Sequence, residues 1–149
     1  MKIIRRARET DLARVAEIEV FNYRLNFYPI FRDDGFYFGE LGVPGRMEHF
    51  RSALESLWVY DDGAVKGFMQ VREGELVKLF IEPVLQGRAI GAELLEYAVS
   101  GLGVRTLWAL EKNVRAIAFY ERHGFEKTAD RELEEDTEEY LIRLEYKKA

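Results

Sequence analysis

Three runs rich in β-branched and aromatic residues, SLWVY (56–60), AVKGFMQV (64–71) and ELVKLFIE (75–82), follow one another with only DDG and REG between them. Gly-containing connections that short are hairpin turns, so the three runs predict an antiparallel meander. The next segment cannot extend it. PVLQGRAIGAELLEYAV places Gly87 and Gly91 where strand gives way to an amphipathic helix, expected from about residue 87 to 100 and stopped by GLG. VRTLWAL (104–110) then reads as a strand, and NVRAIAFYERHG (113–124) as a helix with Asn113 as N-cap and Gly124 past its end.

The flanks are simpler. KIIRRAR (2–8) predicts a first strand, and ETDLARVAEIEVFNY (9–23) a helix that starts at Thr10 or Asp11 and turns Leu12, Val15, Ala16 and Ile18 inward. Residues 21–45, crowded with Phe and Tyr and then with glycines, read as a loop with some helix; RMEHFRSALES (46–56) reads as a second helix. FEKTADREL and EEYLIRLEYK predict a closing hairpin.

At 149 residues and 48% hydrophobic composition, the chain has enough for one sizeable core and too little for two, so a single domain over 1–149 is expected. It has no cysteine, which excludes disulfides, thiolate metal sites and any acyl transfer through a protein thiolate. A cytoplasmic location is the default expectation. MKIIRRARET lacks the apolar core of a signal peptide, and no apolar run approaches the roughly 20 residues needed to span a bilayer. The net charge of −5 argues against a nucleic-acid footprint.

Gly87 and Gly91 lie four apart across the first turn of the expected helix, with Arg88 between them. A helix N-terminus presents unpaired N–H groups and about half a positive charge, so a close backbone there suits a diphosphate. Glycine pairs at strand–helix junctions are more often tight turns or helix-packing devices, and neither a Walker A loop nor the GxGxxG fingerprint fits. His49 and His123 have no carboxylate pairing suited to a metal, so no metal is expected. Ser52, Ser56 and Ser100 sit in no nucleophile elbow.

Taken in order, LFIEP, QGRAIGAELLEYA and VRTLWALEKNVRAIAFYERHGFE resemble the core of the GNAT superfamily of acyl-CoA N-acyltransferases. That family's first signature is Arg or Gln, two residues, Gly, one residue, then Gly or Ala. Gln86, Ala89 and Gly91 stand at those positions, so the chain departs at the first glycine. The second signature is present at Asn113, Ala116, Phe119, Tyr120, Gly124 and Phe125.

The resemblance implies an α/β (α+β) GNAT fold: a mixed, mostly antiparallel sheet of about seven strands flanked by about four helices, splayed between the fourth and fifth strands. Acetyl-CoA, as cosubstrate, would lie in that V. Leu79, Phe80 and Ile81 would offer backbone groups to the pantetheine and one N–H to the thioester carbonyl, which calls for a bulge nearby. Gln86, Gly87, Arg88, Ala89, Ile90, Gly91 and Ala92 would hold the pyrophosphate. An ordinary helical φ is expected at Ala89, where a methyl group would then cause no strain.

Tyr120 is the expected general acid, since a phenol can protonate the leaving CoA thiolate; core packing is the alternative. Asn113 is both an N-cap and, by resemblance, a pantetheine contact. Glu75 is the candidate base, on the premise that it shares a strand face with Val77, Leu79 and Ile81. The aromatic residues between Phe21 and Phe38, with Trp58 and Tyr60, are candidates to line the acceptor pocket. The acidic DRELEEDTEEY could attract a cationic acceptor, although such a run is usually a solvated face.

The implied function is direct acetyl transfer to a primary amine of a small molecule or peptide. The rival is a catalytically inactive CoA-binding regulatory or partner module. Neither membrane nor nucleic acid is an expected partner, and oligomeric state is left open, a homodimer being one alternative.

Overall fold

The computed structural model describes residues 3–87 and 89–147. Seven strands form one sheet: β1 (Ile4–Arg6), β2 (Leu57–Asp61), β3 (Val65–Arg72), β4 (Glu75–Ile81), β5 (Thr106–Leu110), β6 (Phe125–Leu133) and β7 (Tyr140–Tyr146). Their order is β1-β2-β3-β4-β5-β7-β6. The meander and the closing hairpin are antiparallel, as their turns predicted, and β4–β5 is the parallel pair. That pair is joined only at Glu75↔Thr106 and Leu76↔Leu107, after which the strands part.

Helices α1 (Leu12–Asn22) and α3 (Val43–Arg51) cover one face, burying Leu12, Val15, Ile18 and Phe50 against Leu57, Val59 and Phe68. On the other face, α4 (Ile90–Leu102) and α5 (Val114–Arg122) bury Leu94, Leu95, Ala98 and Ile117 against Met69, Leu76, Leu107 and Leu144. Strand β3 shows why both cores form. Phe68 enters the first, while Met69 and Val71 enter the second, so two-residue alternation feeds each layer.

Residues 21–45 are more helical than their composition implied. Beyond α1 the chain continues as a π-helical turn over Tyr23–Phe27 and a short α2 (Tyr28–Phe31), and a second π-helical turn spans Phe36–Glu40. No glycine or proline interrupts the chain between Leu12 and Tyr28. The aromatic rings supply the burial that a loop would have lacked: Tyr23, Phe27, Tyr28, Phe31 and Phe36 pack around Val20, Tyr37 and Leu41. Arg32, at φ 54, ends α2. Helix α3 begins at Val43, earlier than the expected 46, with Pro44 in its first turn, where a missing N–H costs nothing.

Two boundaries shape the cleft. On β4, Gln70 pairs with Lys78 but Val71 with Leu76, so Val77 is an extra residue, the bulge that the resemblance called for. Helix α4 starts at Ile90 and not at 87, because Gly87 (φ +89) and Ala89 (φ 65) are both left-handed and cannot belong to a right-handed helix.

Candidate active site

Where β4 and β5 diverge, a cleft of about 1080 Å³ opens between the two halves of the sheet. Its floor can be derived from strand register. Glu82 N–H donates to Lys66 O at 2.9 Å, and antiparallel pairs alternate between bonded and non-bonded positions. Phe80 and Lys78 therefore spend their backbone groups on β3, through Phe68 and Gln70. Leu79 and Ile81 aim theirs toward β5, which has already departed. The free backbone groups thus belong to Leu79 and to the Ile81 N–H, because the Ile81 carbonyl accepts from Asn22 Nδ2 at 2.8 Å. Phe80, expected to share that role, bonds to β3 and packs its ring against Tyr23, Phe27 and Phe68.

At one end of this floor stands the N-terminus of α4. Gly87, Ala89, Ile90, Gly91 and Ala92 line the cleft, and the first N–H groups of any helix have no partner within it. Arg88 falls outside the described residues. A Cβ at Gly91 would lie 3.5 Å from Phe119 Cζ on α5, so this glycine also allows the two helices to approach. The packing and phosphate explanations of the glycines are compatible.

Ala89 corrects one expectation. Its φ of 65 is not helical, and it carries the methyl group where the family pattern has glycine. Left-handed geometry costs an L-residue about 1–2 kcal/mol, partly offset by the greater unfolded-state entropy of glycine. Ala89→Gly is therefore expected to raise stability by about 0.5 kcal/mol. Thermal melts and calorimetry check this; a fall in melting temperature would contradict the strain.

Tyr120 and Asn113 flank the opposite wall, both lining the cleft. Asn113 caps α5 by accepting from Ala116 N–H at 3.3 Å, and its amide nitrogen bonds to none of the described residues. The Tyr120 ring is held between Phe119 (5.3 Å) and Phe125 (6.0 Å). Desolvation pushes its phenol above the ordinary value, so it stays protonated at neutral pH.

Glu75 is placed differently from its expected phase. The extra residue at Val77 shifts the alternation, so that Leu76, Leu79 and Ile81 pack on the α4 side. Glu75, paired with Arg72 and Thr106, falls on the other face at the closed end of the V, outside the lining of the cleft. Trp58 and Tyr60 are also displaced, buried in the α4-side core. Of the aromatic segment, Tyr23, Phe27, Phe31, Phe36 and Tyr37 do line the cleft.

Sequence reading missed a buried charge cluster beside the floor. Glu19, with no exposed side-chain surface, receives Arg46 Nε at 2.5 Å and also Lys78, whose ammonium lies 2.9 Å from the Tyr23 hydroxyl. Desolvation lowers the pKa of Lys78 while Glu19 opposes that shift. On the far side, Glu134, Glu135 and Asp136 of the β6–β7 turn face the cleft with Asp33 and Glu40. The acidic run is therefore a wall of the cleft as well as a polar turn.

A parallel strand pair thus separates beside a helix N-terminus, leaving a cleft with free β4 backbone groups along its floor. Residues 53–127, half of the chain, match the sequence model of the acetyltransferase (GNAT) domain, and the chain belongs to that family. Over 93 residues it is 33% identical to the peptidyl-lysine N-acetyltransferase YjaB of Salmonella typhimurium, a match covering 60% of this chain and 64% of that protein. The match thus spans under two-thirds of the relative's length. In fold, the chain is similar to the solution structure of apo YjaB from Escherichia coli (TM-score 0.68, 24% identity, 96% and 95% of the two chains). It is also similar to the PaiA N-acetyltransferase of Thermoplasma acidophilum in complex with coenzyme A (TM-score 0.63, 19% identity, 96% and 98%).

Proposed function

We propose that the protein is an acetyl-CoA-dependent N-acetyltransferase that passes the acetyl group directly to a primary amine, the side chain of a lysine in a peptide. The observation that carries this is the splay itself: Leu79 and the Ile81 N–H hold backbone groups toward a gap that the pantetheine arm fits as a surrogate strand. The pyrophosphate would sit on the N–H groups at the start of α4. An N–H of β4 would receive the thioester oxygen as charge develops there.

In the reaction the neutral amine attacks the thioester carbon, the C–N bond forms and the C–S bond breaks. The departing thiolate takes the Tyr120 proton; the attacking nitrogen, cationic once the C–N bond has formed, gives its second proton to water, and the phenolate recovers one from water. The acceptor must first lose a proton. Glu75 stands off the cleft, so solvent water in the open cleft is the favoured carrier. The acidic wall of Asp33, Glu40, Glu134, Glu135 and Asp136 favours a cationic acceptor over an anionic one. The relative named a peptidyl-lysine N-acetyltransferase points to the same amine.

Two outcomes follow. Titration calorimetry with acetyl-CoA is expected to show saturable binding at micromolar to submillimolar concentration; no heat at millimolar ligand would overturn the reading. With a lysine peptide, kcat/KM is expected to rise with pH toward the amine's ordinary value of about 10.4, without a falling limb below about pH 10, because Tyr120 stays protonated. A decline between about pH 8 and 9 would remove the phenol from the acid role.

A further inference from the structure

We propose that Asn22 is a positioning residue that locks the acceptor wall to the acetyl-donor loop; this rests on the reading of the cleft as a CoA site. Asn22 is the last residue of α1 and is 1% exposed. Its Nδ2 donates to Ile18 O at 2.9 Å and to Ile81 O at 2.8 Å. Its Oδ1 accepts from Asn26 Nδ2 at 3.2 Å and from Gln86 Nε2 at 3.1 Å. A side-chain amide has two donors and two acceptor sites, so these four bonds use its whole capacity. Nothing is left over for a ligand, and Asn22 acts through what it holds.

Three of the four partners belong to different parts of the cleft. Ile81 O lies on the open edge of β4, where no ladder partner exists, and a buried carbonyl left unmatched is costly. Asn26 belongs to the π-helical turn that carries Tyr23 and Phe27 into the acceptor side. Gln86 opens the turn that leads through Gly87 to α4. One buried amide thus sets the end of β4, the aromatic wall and the entry to the phosphate loop relative to one another. Gln86 gives its amide nitrogen to Asn22, so its contribution to CoA binding is the shape of the loop.

The test uses the full chain with Gln86→Leu, Asn22→Ala and the double variant, each measured for CoA affinity by calorimetry, for kcat and KM, and for melting temperature. Gln86 is half-buried in a turn, so its substitution leaves the fold intact. Gln86→Leu is expected to weaken CoA about threefold to tenfold, the effect of losing one such bond, with melting temperature little changed. Asn22→Ala weakens CoA further, and adding Gln86→Leu to it has no additional effect, because the two residues share one bond. Should Asn22→Ala fail to fold, Asn26→Ala takes its place: lowered acceptor affinity through the same Oδ1 supports the proposal. Wild-type CoA affinity in Gln86→Leu, or strictly additive losses in the double variant, would overturn it. A wild-type chain that binds no CoA overturns the proposed function itself, a distinct result.

Discussion

Tyr120→Phe is expected to lower kcat by about 100- to 1000-fold while CoA affinity stays within about twofold of the wild type. The ring between Phe119 and Phe125 is retained, so the packing of α5 on β6 survives and only the hydroxyl is lost. Without a proton donor, CoA must leave as a free thiolate or wait for water, and general acid catalysis contributes about two to four powers of ten. The loss should fall on kcat and kcat/KM together, which marks a group that acts in the transition state. An unchanged kcat would reassign Tyr120 to core packing.

The second large effect concerns stability. Glu19→Ala is expected to destabilise the fold by about 3–5 kcal/mol, because Arg46 and Lys78 are left without the carboxylate that compensates their burial. For a chain of this size the loss corresponds to roughly 10 °C in melting temperature. Lys78 is the more affected partner, with 15% of its side chain exposed against 25% for Arg46. Combining Glu19→Ala with Lys78→Met should recover part of the loss, since it removes the stranded ammonium and retains an unbranched apolar stem. Differential scanning calorimetry of the single and double variants decides the matter; equal melting temperatures would show the two charges to be independent.

Turn chemistry made most of the fold legible. DDG and REG fix the meander, and Asn113 and Gly124 bracket α5 as capping rules require. Periodicity failed where one extra residue intervened. Counting by two from Glu75 reaches Ile81, but the bulge at Val77 reverses the face partway and carries Glu75 away from the cleft. No side-chain property of Val77 announces that bulge. At Ala89 the same kind of error arose from composition: alanine is the strongest helix former, so a left-handed φ there is a tertiary effect that propensity cannot reveal.

The polar networks left a signal that went unused. On α1 the inward residues Leu12, Val15 and Ile18 extend by helical spacing to Glu19 and Asn22, both buried. Charged and amide side chains on the buried stripe of a helix need partners, and both found them on β4 and its exit. The sequence could place Glu19 and Asn22 inside the protein; only three-dimensional pairing identifies Lys78 and Ile81 as their counterparts.

The most direct test of the account is acetyl transfer itself. The protein is incubated with acetyl-CoA and a peptide carrying one free lysine amid further basic residues, and thiol release and peptide mass are followed together. The account predicts thiol release matched by one acetyl group gained on the lysine, and none when that lysine is replaced by arginine. Tight CoA binding with neither thiol release nor peptide acetylation, across peptides and small amines alike, would contradict it and leave a CoA-binding module without the chemistry.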